Sequence, residues 1–259
     1  MKTVASRSNP HFKALKKLAQ SSRERRKTGL TMLDGMHLVE TYAQHHGAPE
    51  MVIVSERGRA QREIACYLEN VSAGTDLVVL TDDLFEEVAT VDTPSGIMAI
   101  IKPPARVQAP DLTVDSVVLD GIQDTGNLGA IMRSAAAAGF RQFLLSDDCA
   151  QAWAPKTLRA AMGAHFQLAI HENADLIAFL GAYRGQAIVT ELSATTSLYA
   201  LDLIRPLAWV FGNEGQGIRR AVAAAAKQSI RIPMPGTTES LNVAAAAAVC
   251  LFEAVRQRQ

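Results

Sequence analysis

The 259 residues include only three cysteines, Cys66, Cys149 and Cys250, scattered with no C-x-x-C pair and no nearby histidine. That excludes a disulfide framework and a Cys/His zinc site, so no metal is expected and the three read as buried thiols in a reducing cytoplasm. No apolar run approaches the roughly 18 residues of a membrane span, and the basic start, MKTVASRSNPHFKALKKL, has no apolar stretch behind it. Neither a leader nor a membrane segment is therefore expected, and a cytoplasmic location is. Two nucleotide signatures are missing as well. No G-x-x-x-x-G-K-[ST] occurs, and Gly212-Asn213-Glu214-Gly215-Gln216-Gly217 spaces its glycines in the reverse order of a dinucleotide fingerprint, which counts against ATP and NAD. Net charge is absent too: 26 basic residues balance 26 acidic ones, which argues against a generic nucleic-acid coat.

What is present is an ordinary globular composition, 48% hydrophobic and 20% charged, able to bury a core without staples. The length fits two small domains. Charge is unevenly spread. Residues 1–28 hold nine basic side chains and one acid, leaving 17 basic and 25 acidic residues for the remainder, so a basic arm precedes an acidic body. On charge alone, a solvated helix face is an equal reading of that arm.

Asn9-Pro10 supplies a capping side chain and an N1 proline ahead of Phe12, Leu15 and Leu18, which fall on one helical stripe. Short β-like runs at 30–33, 51–55, 77–80 and 96–101 then alternate with helical stretches near 35–46, 58–69 and 82–89. This predicts a small α/β domain over 1–103. KPPARVQAP, with three prolines, reads as a stiff linker, placed at 104–111. Over 112–259 the alternation restarts, with strands at 116–119, 142–145, 187–191, 207–211 and 229–232. Helices are expected near 127–138, 154–162, 173–182, 217–227 and 241–256. Such a rhythm implies a mostly parallel sheet covered on both faces, with ligands at the carboxyl ends of its strands. Alanine runs at 135–138, 223–226 and 244–248 read as closely packed helices.

Three segments in fixed order carry more specific information: LDGIQDTGNLGAIMR from Leu119 to Arg133, VFGNEGQGI from Val210 to Ile218, and IPMPG from Ile232 to Gly236 continuing to ESLNV at 239–243. Together they resemble motifs 1, 2 and 3 of the SpoU (TrmH) branch of the SPOUT RNA methyltransferases. A weaker similarity to that family's substrate-binding domain covers SRSNPHFKALKKL and LDGMHLVE. The resemblance implies a trefoil-knotted parallel-sheet catalytic domain behind a small N-terminal α/β RNA-binding domain. Packing rules would not have proposed it, because true knots are nearly absent from proteins. It further implies S-adenosyl-L-methionine as cofactor, 2′-O-ribose methylation of ribosomal or transfer RNA, and a homodimer with two active sites near the subunit interface.

By the same resemblance, Arg133, Asn127, Glu214, Ser240 and Asn242 are catalytic. Thr190, Leu192, Gly212, Asn213, Gly217, Ile232, Met234 and Leu241 surround the cofactor. Within the basic arm, Arg7, Lys13, Lys16, Lys17, Arg25 and Arg26 are the expected RNA contacts. Asn127 also has the chemistry of a helix cap, and the glycines of motif 2 also suit tight turns. A free guanidinium is not deprotonated, so Arg133 is read as gripping the adjoining phosphate and stabilising the developing alkoxide. Glu214 is expected to orient Arg133 or tie the subunits together. Asp34-Gly35 stands where the family usually has Glu-Gly, and Ala244 where a serine is common, placing one hydrogen bond near the cofactor loop in question. A non-catalytic RNA-binding factor that retains the fold, and a nucleotide-dependent oxidoreductase, are the alternatives.

Overall fold

A computed structural model describes residues 2–71, 74–91, 93–104 and 108–259. The chain forms two units, one of 1–105 with 153–166 and one of 106–152 with 167–259. Of the expected linker, 105–107 lie outside the described residues.

The first unit runs β1 (Lys2–Val4), α1 (Pro10–Gln20), α2 (Ser22–Thr28), β2 (Thr31–Asp34), α3 (Met36–His46), β3 (Met51–Ser55), α4 (Glu56–Arg59), α5 (Arg62–Glu69), β4 (Asp76–Leu80), α6 (Asp82–Val88) and β5 (Ile97–Ile101). Its sheet has the order β1-β4-β3-β5-β2, with β5 antiparallel to both neighbours. Apolar residues alternate between its faces as the two-residue pleat requires. Val52, Val54, Val79, Ile97 and Ala99 enter one core with Val39 and Ile64, whereas Ile53, Val78, Leu80, Met98 and Ile100 enter another with Phe12, Leu15 and Leu18.

The sequence-based domain 112–259 loses one stretch to this unit. α8 (Pro155–Ala160) and the 3-10 turn at Ala164–Gln167 place Leu158 and Phe166 in the core beside Leu33 and Val39. Local periodicity announces a helix, and is silent about which core receives it. The expected helix 58–69 is likewise two, because Ser55 caps Gly58 at 2.8 Å and starts a turn earlier.

The second unit contains β6 (Ser116–Asp120), α7 (Thr125–Ala137), β7 (Gln142–Leu145), β8 (Ala169–His171), α9 (Leu176–Ala182), β9 (Gln186–Thr190), β10 (Leu207–Gly212), α10 (Arg220–Ala225), β11 (Gln228–Ile230) and α11 (Val243–Arg258). Its strand order is β11-β9-β10-β6-β7-β8, and every pairing is parallel. Val118, Val189 and Val210 face α9 and α10, while Val117, Trp209 and Phe211 are equally buried at the alternate positions. Sheets covered on both sides read as near-continuous apolar runs for this reason. α7 and α11 pack together, and α11 also packs on β10.

Cys66 is exposed, which corrects its reading as buried; Cys250 is buried, and its burial pushes the thiol up to about 12. Among the described residues no helix is long and apolar enough to cross a membrane. No group of three or more His, Cys, Asp or Glu side chains among them is arranged to hold a metal ion.

Candidate active site

Because all strands of the second sheet run the same way, the loops after β9, β10 and β11 open at one edge, where the start of α11 joins them. They enclose a cavity of about 550 Å³, within the usual range for small-molecule sites. Thr190 ends β9 and Leu192 follows it, Gly212 ends β10 with Asn213 and Gly217 in the loop beyond, Ile232 and Met234 follow β11, and Leu241 precedes α11; all eight line the cavity. Leu192 is 63% and Leu241 40% exposed, leaving apolar surface for a ligand to cover.

Glycine is required at 212, where a Cβ would come within 2.4 Å of the Gly217 carbonyl carbon and the Ile218 nitrogen. The chain doubles back there, the Asn213 and Gly217 amides each donating to the other's carbonyl at 3.0 and 2.9 Å. The Asn213 side chain braces the same loop. Its Oδ1 accepts from the Gly215 and Gln216 amides, both at 2.9 Å, and its Nδ2 donates to the Gly121 carbonyl at 2.7 Å.

The three motifs meet at Asn127. Asp124, not Asn127, caps α7, accepting the Asn127 amide at 2.7 Å. The Asn127 side chain is thereby left to link the other two motifs: Nδ2 donates to Glu214 Oε1 at 3.0 Å and Oδ1 accepts from Asn242 Nδ2 at 2.9 Å. Asn242 in turn caps α11, its Oδ1 accepting from the Ala244 and Ala245 amides at 2.9 and 3.4 Å. The cap uses the backbone of Ala244, so no side chain is needed at that position. Glu214, Ser240 and Asn242 also line the cavity.

Glu214 is thus oriented by Asn127, and the expected Glu214–Arg133 pairing is absent among the described residues. Helix phase explains the absence. Six residues carry Arg133 about 240° around α7 from Asn127 and about 9 Å along it, and its side chain is exposed and outside the cavity lining.

The basic residues of the first unit divide in two. Arg7 and Lys16 both pair with Glu87, holding its carboxyl below the ordinary carboxylate range. Arg25 Nη1 donates to the Leu18 and Ala19 carbonyls at 3.0 and 3.1 Å, satisfying groups that α1 leaves open at its end. Lys13, Lys17 and Arg26 are exposed and carry no ion pair among the described residues. Asp34 is buried, and its Oδ2 accepts the Thr90 amide and hydroxyl at 2.9 and 2.8 Å, so this residue holds the fold of its own unit together.

Residues 116–252 match the SpoU rRNA Methylase family, and 9–99 match an MRM3-like substrate binding domain. The chain belongs to the SpoU methylase family. Within that family it is 30% identical to the 23S rRNA (guanosine(2553)-2′-O)-methyltransferase RlmP of Bacillus subtilis, over 97% of this chain and 98% of that one. It is 32% identical to the 23S rRNA (guanosine-2′-O-)-methyltransferase RlmB of Bordetella pertussis, over 88% and 98% of the two chains. The crystal structure of an AdoMet-bound rRNA methyltransferase from Sinorhizobium meliloti superposes with a TM-score of 0.84 at 26% identity, covering 99% and 98%. Membership makes the protein a methyltransferase and sets aside both the oxidoreductase and the non-catalytic readings.

Two residues of this SpoU site escaped sequence reasoning. Asp120, the last residue of β6, is buried, and Arg219 precedes α10. The Asp120 carboxylate accepts the Arg219 amide at 2.7 Å, Nε at 2.7 Å and Nη2 at 2.6 Å. No local pattern marks a pair 99 positions apart. Glu191 and Arg231, each next to an expected cofactor residue, line the cavity as well, as does Glu239 of the third motif.

Proposed function

We propose that the protein methylates a ribose 2′-hydroxyl in large-subunit ribosomal RNA, using S-adenosylmethionine, as a cytoplasmic homodimer. The observation that carries this reading is the hydrogen-bonded chain Asn242–Asn127–Glu214, which ties the first motif to a cavity lined by the second and third. The cavity's size, its exposed leucines and the Cβ-free backbone at Gly212 fit a nucleoside bearing an amino-acid tail. When bound, that cofactor supplies a methyl group on a sulfonium, already activated for transfer, so no metal is needed.

The chain's own residues then have positioning and electrostatic work. Loops 212–217 and 232–234 and residue Leu241 hold the cofactor through backbone groups. Asn127 fixes the Glu214 carboxylate at the cavity wall, and Ser240 and Asn242 keep the start of α11 closed over it. Arg133 grips the phosphate next to the target ribose and stabilises the oxygen as its proton leaves to phosphate or water. Alignment of the hydroxyl with the methyl group supplies much of the rate.

Arg133 lies outside its own cavity, and we assign it to the partner's cavity across the dimer interface. Ala130 and Ala137 share the Arg133 side of α7 by their spacing of three and four, and the neighbouring α11 exposes Ala245 and Phe252, small residues and one aromatic that suit close packing of a second copy. The trefoil knot belongs to the same proposal, supported by the joint bordering of the cavity by the β10 loop, the β11 loop and the α11 start. Lys13, Lys17 and Arg26 are the proposed phosphate contacts of the first unit. Mapping 2′-O-methyl positions in ribosomal RNA from cells with and without the protein tests the assignment. One or more positions in large-subunit RNA should lose the mark; an unchanged ribosomal map overturns the assignment.

A further inference from the structure

Asp120 and Arg219 lie outside both the cavity lining and the amide chain, yet they join the two loops on which both depend. In the sheet register Gly212 stands beside Asp120. Loop 212–218 thus leaves β10 next to this carboxylate, and returns to it at Arg219 through three hydrogen bonds. Between those points the loop is closed by the Asn213–Gly217 pair, and Asn213 Nδ2 holds the carbonyl of Gly121, the residue after Asp120. Glu214 rides on the closed loop, and Asn127 is carried by α7, which begins at Thr125. The separation of Glu214 from Asn127 is therefore set across the 120–121 turn. Arg219 is a poor candidate for a phosphate grip, since Asp120 takes its Nε and Nη2, and Asp148 and Asp147 add negative charge around it and raise its pKa further.

We infer that Asp120 and Arg219 are positioning residues for methyl transfer, a clamp that holds loop 212–218 so that Glu214 meets Asn127, without touching cofactor or RNA. This rests on the methyltransferase reading above for its catalytic consequence, and on geometry alone for the loop. Arg219→Lys keeps the cation and the backbone bond to Asp120 but loses the planar fork. Arg219→Ala and Asp120→Asn remove more.

The test uses the whole 259-residue chain and compares hydrogen exchange of the amides at 213–217, melting temperature, calorimetric binding of the demethylated cofactor, and kcat and KM for RNA. In Arg219→Lys the loop amides should exchange about tenfold faster while melting changes little, and kcat should fall about tenfold, the scale of a modest misplacement of reacting groups. KM for RNA should stay constant. A folded Arg219→Lys with unchanged loop exchange overturns the clamp, even if the wild-type protein proves to transfer no methyl group. A loss confined to KM for RNA, with a shallower salt dependence, overturns it in favour of a phosphate contact. If Asp120→Asn fails to fold, the two Arg219 variants still decide.

Discussion

Both units place strand ends and connecting loops at one edge of a sheet, but the described residues pack differently there. In the first, the edge is filled by its own chain. Gly58 lies so close to Gly96 that a Cβ would come within 2.3 Å of its carbonyl oxygen, Ser55 caps Gly58, and Asp34 is taken by Thr90. β5 enters that sheet antiparallel, so its incoming loop competes for the space at which the parallel strands end. In the second unit every strand pairing is parallel, and the loops after β9, β10 and β11 border a space of about 550 Å³ instead of filling it. A parallel sheet makes a site by leaving something out.

The comparison can be broken at four points, in order of expected size. Arg133 should matter for turnover alone: Arg133→Ala should be nearly inactive, and Arg133→Lys should lose more than about tenfold in kcat because the planar fork is gone. Cofactor affinity, measured by calorimetry, should barely move in either variant, and near-normal turnover of folded Arg133→Ala would remove Arg133 from the mechanism. The two close-packed glycines should then fail differently. Gly212→Ala should weaken binding of the demethylated cofactor more than about tenfold with a small change in melting. Gly58→Ala should instead lower stability by about 1–3 kcal/mol through overpacking and leave that binding intact. If both variants lose stability and neither loses binding, the second edge is no more a site than the first.

Charge supplies the third comparison. Reversing Lys13, Lys17 and Arg26 to Glu should weaken RNA binding and flatten its salt dependence by about 0.7 to 0.9 log units per lost phosphate contact. Reversing Arg7 or Lys16 should act mainly on stability, because both already pair with Glu87; equal salt slopes for the two sets would erase the distinction. The smallest effect concerns acid. Hydrogen bonds from Arg256 and Gln257 hold the Glu253 carboxyl at about 2, well below its ordinary 4.5. A carboxyl depressed in the folded state stabilises above its unfolded value and loses that contribution as pH falls through the folded one. Melting temperature should therefore drop between about pH 4.5 and 2, and the drop should be shallower in Glu253→Gln; identical curves would exclude Glu253 as a source.

The cavity wall was legible because its residues sit at strand ends or a few positions beyond them, and a parallel sheet gathers such positions wherever they fall along the chain. Thr190, Gly212 and Ile232 illustrate this. Asn127 offered helix capping as the alternative to its catalytic reading, but the cap is Asp124. What stayed hidden depends on contacts distant in sequence. The three-residue strands β1 and β8 are too short to show a period. Leu158 gives no sign of which core it joins, and Cys66, expected to be buried from cysteine spacing alone, sits exposed on α5. The Asp120–Arg219 pair consists of two ordinary charged residues until the strands stand side by side.

The passage of 153–166 into the first unit has a consequence for anyone exchanging modules between such enzymes. The first unit is not a prefix of the chain. A fragment ending at 103 would lack Leu158 and Phe166, both buried in its core, and the second unit joined to a foreign first unit would retain the 155–160 helix with Leu158 stripped of the core that buries it. A single cut between the units leaves them joined by two further crossings of the chain. Grafting therefore has to move two stretches together, and recombination that respects only the proline-rich boundary should yield insoluble chimeras.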